Sequence, residues 1–330
     1  MKKIEFIAEL AQGYEGKLSQ ACDLIKGAKL AMADFAKIQV VYADELATND
    51  YKDYKIFKSL ELNKHDWKKI FQYSQKLKIK LIAEVFGRKS LETAKFMGVD
   101  FLKLHPTDIN NFNLISEIKK LNPKKIFIGI GGAKENEIKL CLEELSSFKV
   151  VLLHGHQVLP TPNHDLNIAR ISKILANFKN VNKNYDIGIA DHVVPGDKDQ
   201  ITIIAMAIAA GALYIEKHLT TNRVFKLEDY QSALNPDEFR ELIKKCKNLI
   251  KIFGSDNFYL NRSEKKYREH TRRVPLTKKN LNEGSIMNRS NIVFKRSSLI
   301  TDIKDINSVF GKKLKRKILK NKVLSKKDFL

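Results

Sequence analysis

The sequence lacks several features that would mark a specialised class of protein. Its 330 residues include only 3 cysteines, 7 prolines and 15 glycines. This composition excludes a collagen-like chain, and three widely separated cysteines do not provide a disulfide framework or a cysteine-type zinc site. No apolar run approaches the ~20 residues of a membrane span, and the first apolar run is too short for a secretory signal. We therefore expect a soluble protein of the reducing cytoplasm, with no membrane partner.

Acidic residues are also in the minority. The chain has 60 Lys and Arg against 38 Asp and Glu, a formal net charge of +22, and residues 263–330 alone hold 20 basic and 6 acidic side chains. Such a basic segment is typical of nucleic-acid-binding proteins. Lysine is nevertheless abundant along the whole chain, and the basic segment has few aromatic residues on which bases could stack. We therefore favour solvated surface lysine over a nucleic-acid partner.

What the sequence does contain is a regular alternation of short apolar runs with longer amphipathic ones. Eight βα units in about 250 residues are typical of a (β/α)8 TIM barrel, an α/β fold. The short runs are apolar on both faces, as in buried parallel strands. A doubly wound open sheet is the alternative, but no GxGxxG motif follows the first strand. The predicted strands are 4–9, 35–41, 78–85, 101–105, 125–130, 150–154, 187–191 and 213–218.

The pattern changes near residue 261. A charged segment follows the last predicted helix, 236–253, and short strand-like pieces come after it at 274–276 and 292–295. We therefore predict two domains, a barrel over residues 1–260 and a small β-rich domain over residues 261–330.

Polar residues concentrate where the predicted strands end. The carboxyl ends of TIM-barrel strands carry the catalytic groups. Six of the eight histidines lie between residues 105 and 218, at or just after predicted strand ends, whereas chance would scatter them over helices as well. The other polar residues at these ends are Glu9, Lys37, Gln39, Glu84, Lys103, Asp191 and Glu216.

Two of these histidines form a candidate metal site. His192 and His218 end neighbouring strands, so both imidazoles can face one centre. Together with nearby Asp191 and Glu216 they suit a borderline divalent ion such as Mn2+, Fe2+ or Zn2+. A site with two histidines leaves coordination positions open for substrate and water. The alternative is that either histidine is structural.

Two lysines form a candidate anion site. Lys37 and Lys103 lie in apolar strands, where a lysine must point into the barrel mouth or lose its solvation. We expect them to hold a carboxylate or a phosphate. A Schiff-base lysine and a lysine snorkelling from a strand end are the alternatives. Glu9 ends the first strand and is suited to acid–base work, to binding a sugar hydroxyl, or to a salt bridge with Lys37.

Longer segments around these residues resemble the N-acetylneuraminate (sialic acid) synthase family. The blocks LLHGHQVLPTPNHDLNI, IGIADHVVPG and AAGALYIEKHLT occur in the family's order, with AKIQ and LKLHPTD before them. The resemblance covers essentially the whole chain, and residues 268–330 resemble the family's C-terminal SAF (antifreeze-like) domain. It implies a TIM barrel followed by a small β-rich SAF domain.

The resemblance also implies a chemistry. The family condenses phosphoenolpyruvate with an N-acylated hexose, such as N-acetylmannosamine, to a nine-carbon 2-keto acid and phosphate. The reaction is metal-dependent, with Mn2+ the expected ion and Mg2+ or Co2+ as alternatives. The members of the family are domain-swapped homodimers, in which the SAF domain of one chain caps the barrel of the other.

Site roles carry over by motif. The resemblance implies that His192 and His218 are metal ligands and that Glu9, Lys37 and Lys103 are catalytic, with the two lysines holding phosphoenolpyruvate. The residues that it implies for substrate binding are Gln39, Asp108, Gln157, Asp229 and, from the SAF domain, Arg296.

The chain departs from the family pattern at the phosphate contacts. Pro106, Gly129 and Ala190 stand where the family has small hydroxyl residues. Thr107, or backbone N–H groups at Gly131-Gly132, would be the replacements. Two alternatives to the synthase therefore stay open, a TIM-barrel lyase or aldolase that does not use phosphoenolpyruvate and, less favoured, a basic nucleic-acid- or anion-binding protein.

Overall fold

The chain folds into two compact units, Met1–Ser255 and Asp256–Leu330. The computed structural model describes residues 3–156 and 158–330. The first unit is a closed barrel of eight parallel strands, in which each strand pairs with the next and the first pairs with the eighth. Helices follow the strands, as in a (β/α)8 TIM barrel, so the predicted α/β fold class is confirmed.

The barrel strands follow the short apolar runs of the sequence closely. Each begins and ends within two residues of its predicted bounds, because β-branched runs are well suited to a buried parallel strand. The strands are β1 (Glu5–Glu9), β2 (Phe35–Gln39), β3 (Lys80–Val85), β4 (Phe101–Leu104), β5 (Lys125–Gly129), β6 (Val150–His154), β7 (Tyr185–Asp191) and β8 (Tyr214–His218).

The first unit also contains ten helices in its described part, and two short ones, α2 and α3, were not predicted. The helix α10 begins at Pro236, where Asn235 and Glu238 form a capping box. No helix in the described part of the chain combines the length and the apolar character needed to cross a bilayer. The helices are α1 (Leu18–Leu30), α2 (Ala43–Leu46), α3 (Tyr54–Ser59), α4 (Lys64–Lys76), α5 (Arg88–Met97), α6 (Phe112–Lys120), α7 (Glu135–Glu144), α8 (Arg170–Asn177), α9 (Gln200–Ala209) and α10 (Pro236–Phe253).

An apolar layer fills the barrel interior. Phe35 meets Phe101 and Phe127 edge to face, with ring centroids 5.2 Å and 5.7 Å away, and Phe127 meets Tyr214 at 5.6 Å. Such offset aromatic pairs add to the stability gained from burial. Because side chains alternate along a strand, the residues two positions further on face the same interior. The apolar layer is therefore the floor beneath the polar strand ends.

The second unit combines one helix with a small antiparallel sheet. The charged segment after the barrel forms α11 (Arg262–Thr271), which begins with a capping box between Asn261 and Glu264 and buries no residue. A helix with no apolar face leaves no periodic signal in the sequence, so it was not predicted. The strands β9 (Val274–Thr277) and β10 (Ile292–Lys295) pair antiparallel beside a small apolar core. The SAF assignment of this unit stays a prediction.

Candidate active site

A cavity of about 290 Å3 lies at the carboxyl ends of the barrel strands. These ends meet at one mouth because all eight strands run in the same direction around a closed barrel. Seven of the ten residues that were given a catalytic, substrate-binding or metal role from the sequence line this cavity together, namely Glu9, Lys37, Gln39, Lys103, His192, His218 and Asp229.

One expected substrate contact of the barrel, Asp108, lies outside this cavity. Its carboxylate instead accepts a hydrogen bond of 2.9 Å from the Asn111 side chain. Arg296 lies exposed in the second unit. Gln157 lies outside the described residues.

Five charged side chains form a buried ion cluster in the cavity: Glu9, Lys37, Glu84, Lys103 and Glu216. The Lys37 Nζ atom lies 3.1 Å from Glu216 Oε1 and 3.2 Å from Glu84 Oε2, and it also pairs with Glu9. The Lys103 Nζ atom lies 3.2 Å from the same Glu216 oxygen and 3.6 Å from Glu84 Oε1. Two ammonium groups therefore face three carboxylates.

Strand register brings the ion cluster together. Glu9 lies opposite Lys37 across β1 and β2, and Glu84 lies opposite Lys103 across β3 and β4. Glu216 joins them because β8 closes the barrel against β1, where it lies opposite Ile7. Glu84 and Glu216 were visible as polar strand ends in the sequence, but the partners of Glu216 depend on this closure.

The ion cluster favours the charged forms of Glu84 and Lys103. Burial disfavours ionisation of Glu84, but Lys103 and Lys37 outweigh it and hold the pKa of that carboxyl at about 2. Burial likewise works against the charge on Lys103, but Glu216 and Glu84 prevail and raise the pKa of its ammonium. Burial lowers the pKa of Lys37, and Glu216 and Glu84 oppose that shift.

Two neutral histidines lie beside the ion cluster. The His192 Nδ1 atom lies 2.6 Å from the His156 carbonyl oxygen. Because that oxygen can only accept, Nδ1 carries the proton and Nε2 keeps a free lone pair. Burial lowers the pKa of His192 to about 4 and that of His218 well below its ordinary value. The two rings face each other with centroids 5.1 Å apart, and His218 Nδ1 lies 3.7 Å from Asp229.

These imidazoles fit a divalent cation, whereas the carboxylates that we expected beside it do not join them. Asp191 points away from the cavity, because Ala190 and His192 on either side of it line the wall, and it pairs instead with Lys217 at 3.3 Å. Glu216 is engaged by the lysines. Among the described residues no group of three or more His, Cys, Asp or Glu is placed to hold a metal ion. A cation would therefore take its remaining ligands from water or substrate.

One wall of the cavity is poor in hydroxyl groups. Pro106, Gly129 and Ala190 all line it, and a Cβ atom added at Gly129 would clash with the Pro106 ring. Thr107 is the one hydroxyl residue among the described residues of the wall, and its Oγ1 lies 2.7 Å from His105 Nδ1. The Gly-Gly turn after β5 does not line the cavity. A phosphate group therefore meets few side-chain donors here besides the lysines.

Comparison with known proteins gives consistent matches over most of the chain. The sequence profile of the NeuB family matches residues 24–258. The chain is 27% identical over 315 residues to N,N'-diacetyllegionaminic acid synthase of Campylobacter jejuni, covering 90% of this chain and 91% of that protein. It is 26% identical over 346 residues to a pseudaminic acid synthase of the same species, covering 99% and 97%. A crystal structure of N-acetylneuraminic acid (sialic acid) synthetase from Leptospira borgpetersenii superposes with a TM-score of 0.74 at 26% identity, covering 81% of this chain and 92% of that one.

Proposed function

Because the chain belongs to the NeuB family, we propose that it joins phosphoenolpyruvate to an N-acylated amino-hexose and releases phosphate. The product would be a nine-carbon 2-keto acid of the sialic-acid type. The observation that carries the proposal is that one barrel mouth holds two buried lysines beside two neutral imidazoles. The names of the related synthases support the substrate class.

The lysines are the proposed anion site. Lys37 and Lys103 would hold the carboxylate and the phosphate of phosphoenolpyruvate as point charges. In the reaction, C3 of phosphoenolpyruvate forms a bond to the aldehyde carbon of the open-chain sugar, water adds at C2, and phosphate leaves. The Glu9 carboxylate accepts a 2.6 Å hydrogen bond from the Ala11 backbone N–H, which holds it towards the lysine end of the cavity. We assign Glu9 to moving a proton or binding a sugar hydroxyl.

The imidazoles are the proposed cation site. His192 and His218 would hold a divalent ion, Mn2+ first among the candidates, and such an ion supplies Lewis-acid polarisation of a carbonyl oxygen. The His156 carbonyl fixes the tautomer of His192. Gln39 accepts a hydrogen bond of 2.8 Å from Gln12, which leaves its amide N–H groups to donate to a sugar hydroxyl.

The test is phosphate release with a sugar panel. The purified chain is incubated with Mn2+, phosphoenolpyruvate and either N-acetylmannosamine or di-N-acetylated hexoses. We expect sugar-dependent phosphate release, and no release in His218→Ala protein that keeps its fold. His164→Gln is the matched control, because that side chain is 83% exposed. Folded protein that releases no phosphate with any sugar would reject the proposal.

The hydroxyl-poor wall favours a second candidate, an aldolase or lyase that does not use phosphoenolpyruvate. Pro106, Gly129 and Ala190 offer no side-chain donor to a phosphate. Lys37, whose pKa is lowered by burial, would then be the amine that attacks a carbonyl. Crystals soaked with phosphoenolpyruvate separate the candidates. Phosphate ordered beside Lys37 and Lys103 supports the synthase, and borohydride trapping of pyruvate on Lys37 supports the aldolase.

The assembly is likewise a proposal from the family. We propose a domain-swapped homodimer in which residues 261–330 are a SAF domain and Arg296 serves the partner's sugar site. Light scattering would show a dimer, and mixing inactive Arg296→Ala chains with inactive His218→Ala chains would restore activity. A monomer, or a mixture that stays inactive, would contradict this arrangement. The cytoplasmic location stays a prediction.

A further inference from the structure

Glu84 is a buried carboxylate of the ion cluster, and the proposed reaction assigns it no role. Its side chain has no exposed surface, and both of its oxygens lack a hydrogen-bond partner among the described residues. Each oxygen instead lies beside a lysine ammonium group of the ion cluster. A buried charged group that faces a cavity is a candidate for ligand binding.

The position of Glu84 is between the two lysines. Its Oε2 atom lies 3.2 Å from Lys37 Nζ and its Oε1 atom lies 3.6 Å from Lys103 Nζ. A ligand anion that touches both ammonium groups would need the same place. The positive charges of the two lysines are already balanced by the carboxylates of Glu9 and Glu216, which pair with them from other strands.

The remaining neighbours of Glu84 do not offset its charge. His105 also faces the cavity, and burial lowers the pKa of its imidazole, which keeps it neutral at pH 7. The nearby wall contains Pro106 and Gly129, which add no donor side chain. An arriving anion would therefore meet a negative group at the point where it needs a positive one.

We propose that Glu84 is a specificity-determining residue that occupies the anion position between Lys37 and Lys103. Its carboxylate weakens the binding of a dianion more than that of a monoanion, because Coulomb repulsion doubles when the charge of the ligand doubles. The proposal rests on the proposed function for the use of the two lysines as an anion site, and it narrows that function by seating the carboxylate of phosphoenolpyruvate, rather than its phosphate, between them.

Anion titrations of the full-length protein test this proposal. Inorganic phosphate and acetate are titrated calorimetrically at about pH 8, where phosphate is a dianion, with EDTA present to remove divalent ions. We expect Glu84→Gln to bind phosphate at least about tenfold tighter than the wild type, and to bind acetate with a smaller gain. Glu92→Gln is the matched control, since its carboxylate pairs with Arg88 on an exposed helix face.

The ratio of the two affinities decides the outcome. If Glu84→Gln binds phosphate no better than the wild type, or if phosphate and acetate gain by the same factor, Glu84 does not occupy the anion position. Glu84→Ala repeats the test should the glutamine variant fail to fold. The wild type gives an independent check, because a preference for phosphate over acetate by more than about tenfold would also overturn the proposal. A lack of turnover would reject the synthase without changing these binding ratios.

Discussion

The pH dependence of stability gives a quantitative test of the ion cluster. Lys103 and Lys37 hold the pKa of Glu84 at about 2, against 4.5 for an ordinary glutamate. A folded pKa below the unfolded one stabilises the fold at pH values above the unfolded pKa, and this stability is lost as the pH falls towards the folded pKa. The difference corresponds to about 3 kcal/mol at pH 7, of which about 1 kcal/mol is left at pH 3.

Glu84→Gln isolates this contribution, because it removes the ionisable group with little change of shape. Urea unfolding followed by circular dichroism, at several pH values between about 7 and 3, gives the free energy of unfolding of both proteins. We expect the wild type to be the more stable protein at pH 7, and its advantage to shrink by about 2 kcal/mol by pH 3. Glu92→Gln should stay within about 1 kcal/mol of the wild type, because a surface ion pair contributes little.

A constant difference between Glu84→Gln and the wild type across this pH range would refute the reasoning. It would mean that Glu84 titrates alike in the folded and unfolded chains, so the two lysines do not stabilise its charge. An advantage that grows as the pH falls would be equally damaging, since it requires a folded pKa above the ordinary value.

Three further predictions follow from the structure. Gly129→Ser alone should destabilise the fold by about 1–3 kcal/mol, because the added Cβ atom would clash with the Pro106 ring. Adding Pro106→Ala should relieve most of that loss, as measured by urea unfolding. Equal losses in the single and double variants would contradict the clash. Mn2+ should raise the melting temperature of the wild type but not of folded His218→Ala, and an equal rise in both would place the ion elsewhere. Lys217→Met should lower the free energy of unfolding by about 3–5 kcal/mol, because it leaves the buried Asp191 carboxylate without its ammonium partner. Adding Asp191→Leu should restore stability. A double variant as unstable as the single one would show that loss of the ion pair is not the cause.

The sequence was most informative where a structure depends on neighbours along the chain. Every barrel strand lay within two residues of its predicted bounds, and α10 spans the predicted 236–253. The family resemblance is borne out by a profile that covers most of the barrel. Alternation along a strand also carries a signal about Asp191. It places Ala190 and His192 on one face of β7 and therefore Asp191 on the other, which excludes Asp191 from the cavity.

Helices without a marked apolar face could not be predicted from the sequence pattern. The helix α11 buries no side chain, and α2 and α3 are short, so none of them leaves a hydrophobic period. Their formation depends on capping groups and on local packing, which compete closely with other loop conformations.

The eight strands, their polar ends and the family are readable from the sequence, because each of these depends on local patterns of apolar and polar residues. Which of the polar ends meet depends instead on how the strands close into a barrel. Lys37 and Glu216 are far apart along the chain, and barrel closure brings them within 3.1 Å. Pairing of β3 with β2 and β4 adds Glu84 to the two lysines. The charge balance of the cavity, and with it the choice of anion, is therefore a property of the closed barrel, since Coulomb interactions depend on distance in space.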